Sequence, residues 1–297
     1  MLNKRKKLPN YKLYRTLSKL GVAIIGIVSV LVFAQGVIHT PATTPMQGES
    51  QAVAKVADTN TVPHIDITSA ADSLSPRSPV LGKKLYNIGY ISYFSEEYGI
   101  PVWVSYITSF PFNYGSSERP KKFIQDFRVR SPEHSDYSGS GYDRGHMAPN
   151  YAISRSYGAK AQYETFYTTN IAPQAPKLNR KQWMHLEQYI ANDLATEYGQ
   201  VLVFVGPVLS KNMKRIKRRI AVPEKFWAVV MVQDSKQNVY TVGFIIPQVP
   251  NKRSFKDYAV SVDTVEAETG IDFFPILSQE QQKRLESSVH RDVFRLN

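Results

Sequence analysis

Apolar and polar residues alternate along positions 86–94 and 102–108, a period of two that turns one face of an extended chain towards a core and predicts two strands. Denser apolar runs at 201–205, 226–232 and 239–246 predict three more, buried strands. Between these groups the period changes. Over 181–198, Met184, Tyr189, Leu194 and Tyr198 fall at broadly helical spacing and Gly199 supplies a stop, which predicts one long helix. Ser261 stands at the N-cap of a shorter helix closing at Gly270, and Ser278 opens a last one. Residues 147–151 read as a turn restricted by Pro149. Strand, strand, loop, helix and strands again is the order of an α+β domain. Phe226, Trp227, Phe244, Phe273 and Phe274 are assigned to its core.

This patterning is confined to the later part of the 297 residues. Residues 1–19 hold seven bases and no acid, and 20–34 are almost wholly apolar, the order of an export signal or a membrane anchor. Fifteen apolar residues are short for a span, and Val32-Phe33-Ala34 fits a cleavage site; counting on to Ile38 gives nineteen, enough to anchor. The long basic stretch favours an uncleaved anchor over residues 1–38 with the rest outside the cytoplasm. A secreted or periplasmic product is the alternative, and a mitochondrial presequence fits less well because lysine outnumbers arginine. Residues 39–80 turn to Thr, Ala, Pro, Ser and Asp without a period, a flexible linker. That leaves 81–297 for one sizeable core. The formal charge of +12 falls to +5 once the seven leader bases are set aside, so the domain itself is only mildly basic.

Within that domain a Gly-Ser run leads into Asp143-Arg144-Gly145-His146. An imidazole can take a proton from water near neutral pH, a guanidinium can grip a phosphate oxygen, and glycines let a bulky polyanion approach the backbone. A surface ion pair beside a satisfied histidine is the plain alternative. A second cluster follows: Asn170-Ile171-Ala172-Pro173-Gln174, then Asn179, Trp183 and Glu187. The absence of cysteine and the scatter of the six histidines argue against structural zinc. The amide oxygen of Asn179 suits a hard, strongly hydrated ion such as Mg²⁺, with Mn²⁺ as second choice; taken alone, Asn179 equally suits a helix cap. Glu187 lies eight residues beyond it, about 12 Å along a continuous helix, too far for both to hold one ion directly.

These motifs, with Glu118-Arg119 upstream, make residues 85–287 similar to the DNA/RNA non-specific endonucleases, the family of mitochondrial endonuclease G and exported bacterial nucleases. The resemblance implies a ββα-metal (His-Me finger) fold on a central, mostly antiparallel sheet with flanking helices. It implies Mg²⁺-dependent hydrolysis of phosphodiester bonds in DNA and RNA. His146 would be the general base, Asn179 the metal ligand, and Glu187 would act through a bound water. Arg119, followed by Phe123 and Asp126, would clamp the phosphate, with Arg128 and Arg130 open as alternatives. Asn170 joins the catalytic group as an orienting side chain, and Arg144 supports the site beside the substrate.

Lys211, Lys214, Arg215, Lys217, Arg218 and Arg219 crowd six cations into nine residues between two strands. Lys214, Arg215, Lys217 and Arg218 are expected to follow the phosphate backbone of DNA or RNA without reading bases; a solvated face is the alternative. A homodimer is left open. The second reading of the whole chain is a catalytically weak or inactive nucleic-acid-binding or uptake protein on the same fold. Intact His146, Asn179 and Glu187 favour the enzyme.

Overall fold

The computed structural model describes residues 70–297 except Ser116, so the expected leader, anchor and most of the expected linker lie outside the described residues. Among the described residues no helix is long and apolar enough to cross a membrane.

Seven strands form one sheet in which every neighbour runs antiparallel. In chain order they are β1 (Lys83–Asn87), β2 (Tyr90–Ser95) and β3 (Ile100–Ser109), then, after two short strands described below, β6 (Gln200–Pro207), β9 (Lys225–Gln233), β10 (Val239–Pro247) and β11 (Ala259–Val260). The short strands β4 (Asp143–His146) and β5 (Ile171–Gln174) pair only with each other. Between them lie helices α1 (Asn150–Tyr157) and α2 (Ala159–Glu164), and after β5 comes one continuous helical rod, α3 (residues 178–198). A small ribbon, β7 (Arg215–Ile216) with β8 (Ile220–Ala221), and two late helices, α4 (Val262–Thr269) and α5 (Gln279–Glu286), complete the order.

The central strands are buried on both faces because each face has its own cover. Val203 and Val205 point with Val104, Tyr106 and Val230 towards Leu186, Tyr189, Ile190 and Leu194 of α3. The alternate positions Leu202 and Phe204 point with Trp103, Trp227 and Val229 towards Val262 and Val265 of α4, Leu285 of α5, and Phe273 and Phe274. The period of two along β6 thus feeds two cores instead of one core and solvent. Each fully buried large side chain contributes about 1.5–3 kcal/mol. Caps set the helix ends: Gly199 and Gly270 close α3 and α4 at φ 77° and 70°. Ser261 accepts from the Thr264 N–H, and Ser278 forms a capping box with Gln281.

Three differences from the sequence reading have local causes. The expected strand at 86–94 is a hairpin, because Gly89 sits at φ +86° and reverses the chain between β1 and β2. The expected turn at 147–151 passes directly into α1: Pro149 is its N-cap residue and Asn150 its first residue, so the proline starts a helix. Residues 70–80, assigned from composition to the linker, pack on the domain. Leu74 is buried against the α4–α5 side, and Arg77 pairs backbone to backbone with Asp272.

Gly89 also docks the hairpin, since a Cβ there would lie 2.5 Å from the Tyr157 ring at the end of α1. Gly89→Ala should therefore lower stability by about 2 kcal/mol or more, from left-handed backbone strain plus overpacking. An unchanged urea midpoint followed by circular dichroism would show that this contact does not hold the hairpin.

Candidate active site

β4, β5 and α3 form a two-strand ribbon followed by a helix, with Asp143 opposite Gln174 and His146 opposite Ile171. Along β4, Arg144 and His146 share one face, and both meet Phe123: the His146 ring lies 5.3 Å from it and the Arg144 guanidinium 5.9 Å. Phe166 meets His146 edge-on at 5.0 Å. On the other face Gly145 lies directly against Gln174, with no room for a Cβ. Beyond His146 the chain is held by Asn170, which is wholly buried. Its Oδ1 accepts from the Ala148 N–H at 2.8 Å, while its Nδ2 donates to the Ala148 and Thr165 carbonyls at 3.0 and 2.9 Å. Expected in the catalytic group, Asn170 has no surface to offer a substrate and acts through the backbone that it positions.

Burial, with the Arg119 charge in support, pushes the His146 imidazole down to about 3, so it is neutral at pH 7 and able to accept a proton. Among the described residues its Nε2 is buried without a hydrogen-bond partner. Burial pushes Glu187 up to about 8, against opposing pulls from the Trp183 indole and again from Arg119. Glu187 keeps some accessible surface. Arg119 therefore acts on both His146 and Glu187, and its exposed guanidinium rests 5.4 Å from the Phe166 ring.

The alternative arginines are engaged elsewhere. Arg128 grips Asp126 with two nitrogens at 2.8 and 2.6 Å and also donates to the Tyr86 carbonyl and Asn87. Arg130 lies near Glu96. Asn179 stands in a π-helical turn, Leu178–Trp183. Such a turn absorbs one extra residue, which brings Asn179 and Glu187 close to an i, i+7 relation on one face, still about 10 Å apart along the axis. The Asn179 Nδ2 donates to Asp143 at 3.0 Å. Asp143 is also bound by Arg180 at 2.7 and 2.8 Å. With its amide nitrogen committed to Asp143, Asn179 presents its oxygen as the free donor atom.

Comparison with known proteins agrees with this geometry. The sequence profile of the DNA/RNA non-specific endonucleases matches residues 69–280. The chain belongs to that family. A nuclease from Nostoc is 31% identical over 229 residues, covering 73% of this chain and 80% of its own. Human mitochondrial endonuclease G is 30% identical over 170 residues, covering 50% and 56%. A crystal structure of the EndoG/EndoGI complex superposes with a TM-score of 0.62 at 24% identity, covering 74% of this chain and 96% of that one, and shares the fold.

Several cations of this endonuclease-family domain make contacts within the protein. Arg144 donates to the His134 carbonyl at 2.8 Å and to Ser138 at 3.0 Å, between the Phe123 and Tyr137 rings, so it braces the loop beside the site. The basic run is divided. Arg215 donates to the Glu97 carbonyl, Lys217 to the Ser135 carbonyl and Arg219 to the Ser131 carbonyl, and the last two also face Asp136. Lys214 and Arg218 have no side-chain partner among the described residues. Sequence reasoning gave Asp143 a supporting place beside His146 but not its bond to Asn179. It also missed Phe166, for which no local signal exists.

A histidine held neutral lowers stability as acid is added, because the unfolded chain binds the proton more readily. For His146 that loss runs from the ordinary value of 6.5 down towards about 3. Imidazole NMR should show His146 still neutral at roughly pH 5.5, where an unperturbed histidine is mostly protonated. A titration midpoint near the ordinary value would overturn the account of its burial.

Proposed function

We propose that this nuclease-family domain is a metal-dependent endonuclease that hydrolyses phosphodiester bonds of DNA and RNA without reading sequence. The observation that carries the reading is Arg119 over the Phe166 ring that meets His146 edge-on, with its charge reaching both the imidazole and the Glu187 carboxyl. His146 takes the proton from the attacking water, its low proton affinity keeping the imidazole in the accepting form. Arg119, exposed at the rim, binds a non-bridging phosphate oxygen and opposes the charge that builds there. A hard divalent ion, Mg²⁺ before Mn²⁺, fits the free oxygen of Asn179, with Glu187 steadying a water of its shell from further along α3. When bound, that ion supplies positive charge against the reacting phosphate and the departing oxygen. Phe123 and Phe166 pack against the imidazole and fix its plane. The basic, apolar leader supports an exported and anchored placement, although it lies outside the described residues.

The full-length chain should nick plasmid in a manner abolished by chelation. His146→Ala should keep DNA binding and lose cleavage by about two to four orders of magnitude, the usual worth of a positioned general base. Wild-type turnover in that variant would remove His146 from the mechanism, and no chelatable nicking by the wild type would favour a binding protein instead. Arg119→Ala should mainly lower the maximal rate, whereas an effect confined to KM would make it a ground-state contact.

The divided basic run sharpens the expectation for substrate binding. Lys214→Ser with Arg218→Ser should lower the salt slope of duplex binding by about 0.9 for each phosphate no longer neutralised and raise KM with little change in the maximal rate. A wild-type salt slope in the double variant would make the ribbon a solvated face.

A further inference from the structure

On the sheet face away from α3, Asp263 and Glu266 stand three residues apart on α4, and Glu286 ends α5. A separation of three places the first two side chains on one helix face. One carboxylate oxygen from each of the three residues lies within 4.8 Å of the other two. Glu286 is only 5% exposed, and one of its carboxylate oxygens is buried without a hydrogen-bond partner. Burial first, and then the like charges of Glu266, Asp263 and Asp272, disfavour its ionised form. A buried carboxyl oxygen with no donor is costly, and a proton or a cation among the three groups relieves it.

We infer that Asp263, Glu266 and Glu286 form a second divalent-cation site, of the Ca²⁺ class, which ties α4 to α5. Ligand oxygens 2.3–2.6 Å from a common Ca²⁺ stand at most roughly 5 Å apart, and the three carboxylates meet that limit. The donors are all oxygen, which selects a hard cation over zinc or copper. Three carboxylates from two helices, with water filling the remaining positions, suit the flexible coordination of Ca²⁺ better than the octahedral shell of Mg²⁺. Both helices cover the same core: Val262 and Val265 from α4 and Leu285 from α5 pack with Trp227 and Phe273. An ion between them would therefore brace the layer that backs the sheet and is distinct from the Asn179 position.

Thermal unfolding of the chelator-stripped full-length protein tests this, with Ca²⁺ added against NaCl of equal ionic strength. At a hundredfold excess over the dissociation constant, Ca²⁺ should raise Tm by about 5–10 °C in the wild type. Asn179→Ala should show the same rise, which separates this site from the one on α3. Glu286→Gln and Asp263→Asn should lose most of it; Asp263 is exposed, so its variant folds even if the buried one does not. An undiminished rise in Asp263→Asn would overturn the inference. So would no rise in the wild type at roughly 10 mM Ca²⁺, above the weak end of the range for such sites.

Discussion

Asn170 joins three backbone groups that no regular element could join. Its side-chain oxygen holds the Ala148 N–H while its nitrogen holds the Ala148 and Thr165 carbonyls, and its own carbonyl receives the Met147 N–H. These bonds fix the chain immediately after His146 to the chain immediately before β5. The two-stranded ribbon is only four residues deep on each side, too short to hold its register unaided. Replacing the amide would strand three buried backbone groups, each worth about 1–3 kcal/mol when unpaired. Every feature of the site that depends on where the imidazole points depends on this amide.

Position then becomes chemistry through dehydration. His146 and Glu187 shift in opposite directions from the same cause, because burial favours the neutral form of each group. Arg119 lowers the proton affinity of both, and unlike either it remains exposed. A substrate phosphate approaching from solvent would therefore meet the guanidinium first and the base behind it. Asp143 contributes from the opposite face of β4 by deciding which end of the Asn179 amide is free.

The seven-stranded sheet separates two functions by direction. One face carries α3 and the ribbon, where exposed polar groups are needed; the other carries α4, α5 and the aromatic core around Phe273 and Phe274. Strands buried on both faces cannot shift by one residue without exchanging the two cores. On that support the charge of Arg119 reaches two residues distant in sequence, His146 and Glu187.

Much of this was legible in the chain. The apolar runs at 201–205, 226–232 and 239–246 mark strands to within a few residues of β6, β9 and β10, and the serines before α4 and α5 mark their starts. These signals are local, set by side-chain period and by the needs of helix ends. The motif residues likewise declared their chemical types. Tertiary structure decided their relations: that Arg119 and not Arg128 lies over the Phe166 ring that meets His146, that Asn170 is fully enclosed, and that Lys217 is tied to Asp136 while Lys214 is not. It also decided that 86–94 reverses at Gly89, which sits at φ +86° and packs against Tyr157. Period and caps are properties of neighbours along the chain. A partner's identity, and the water its approach removes, are set only when distant segments meet.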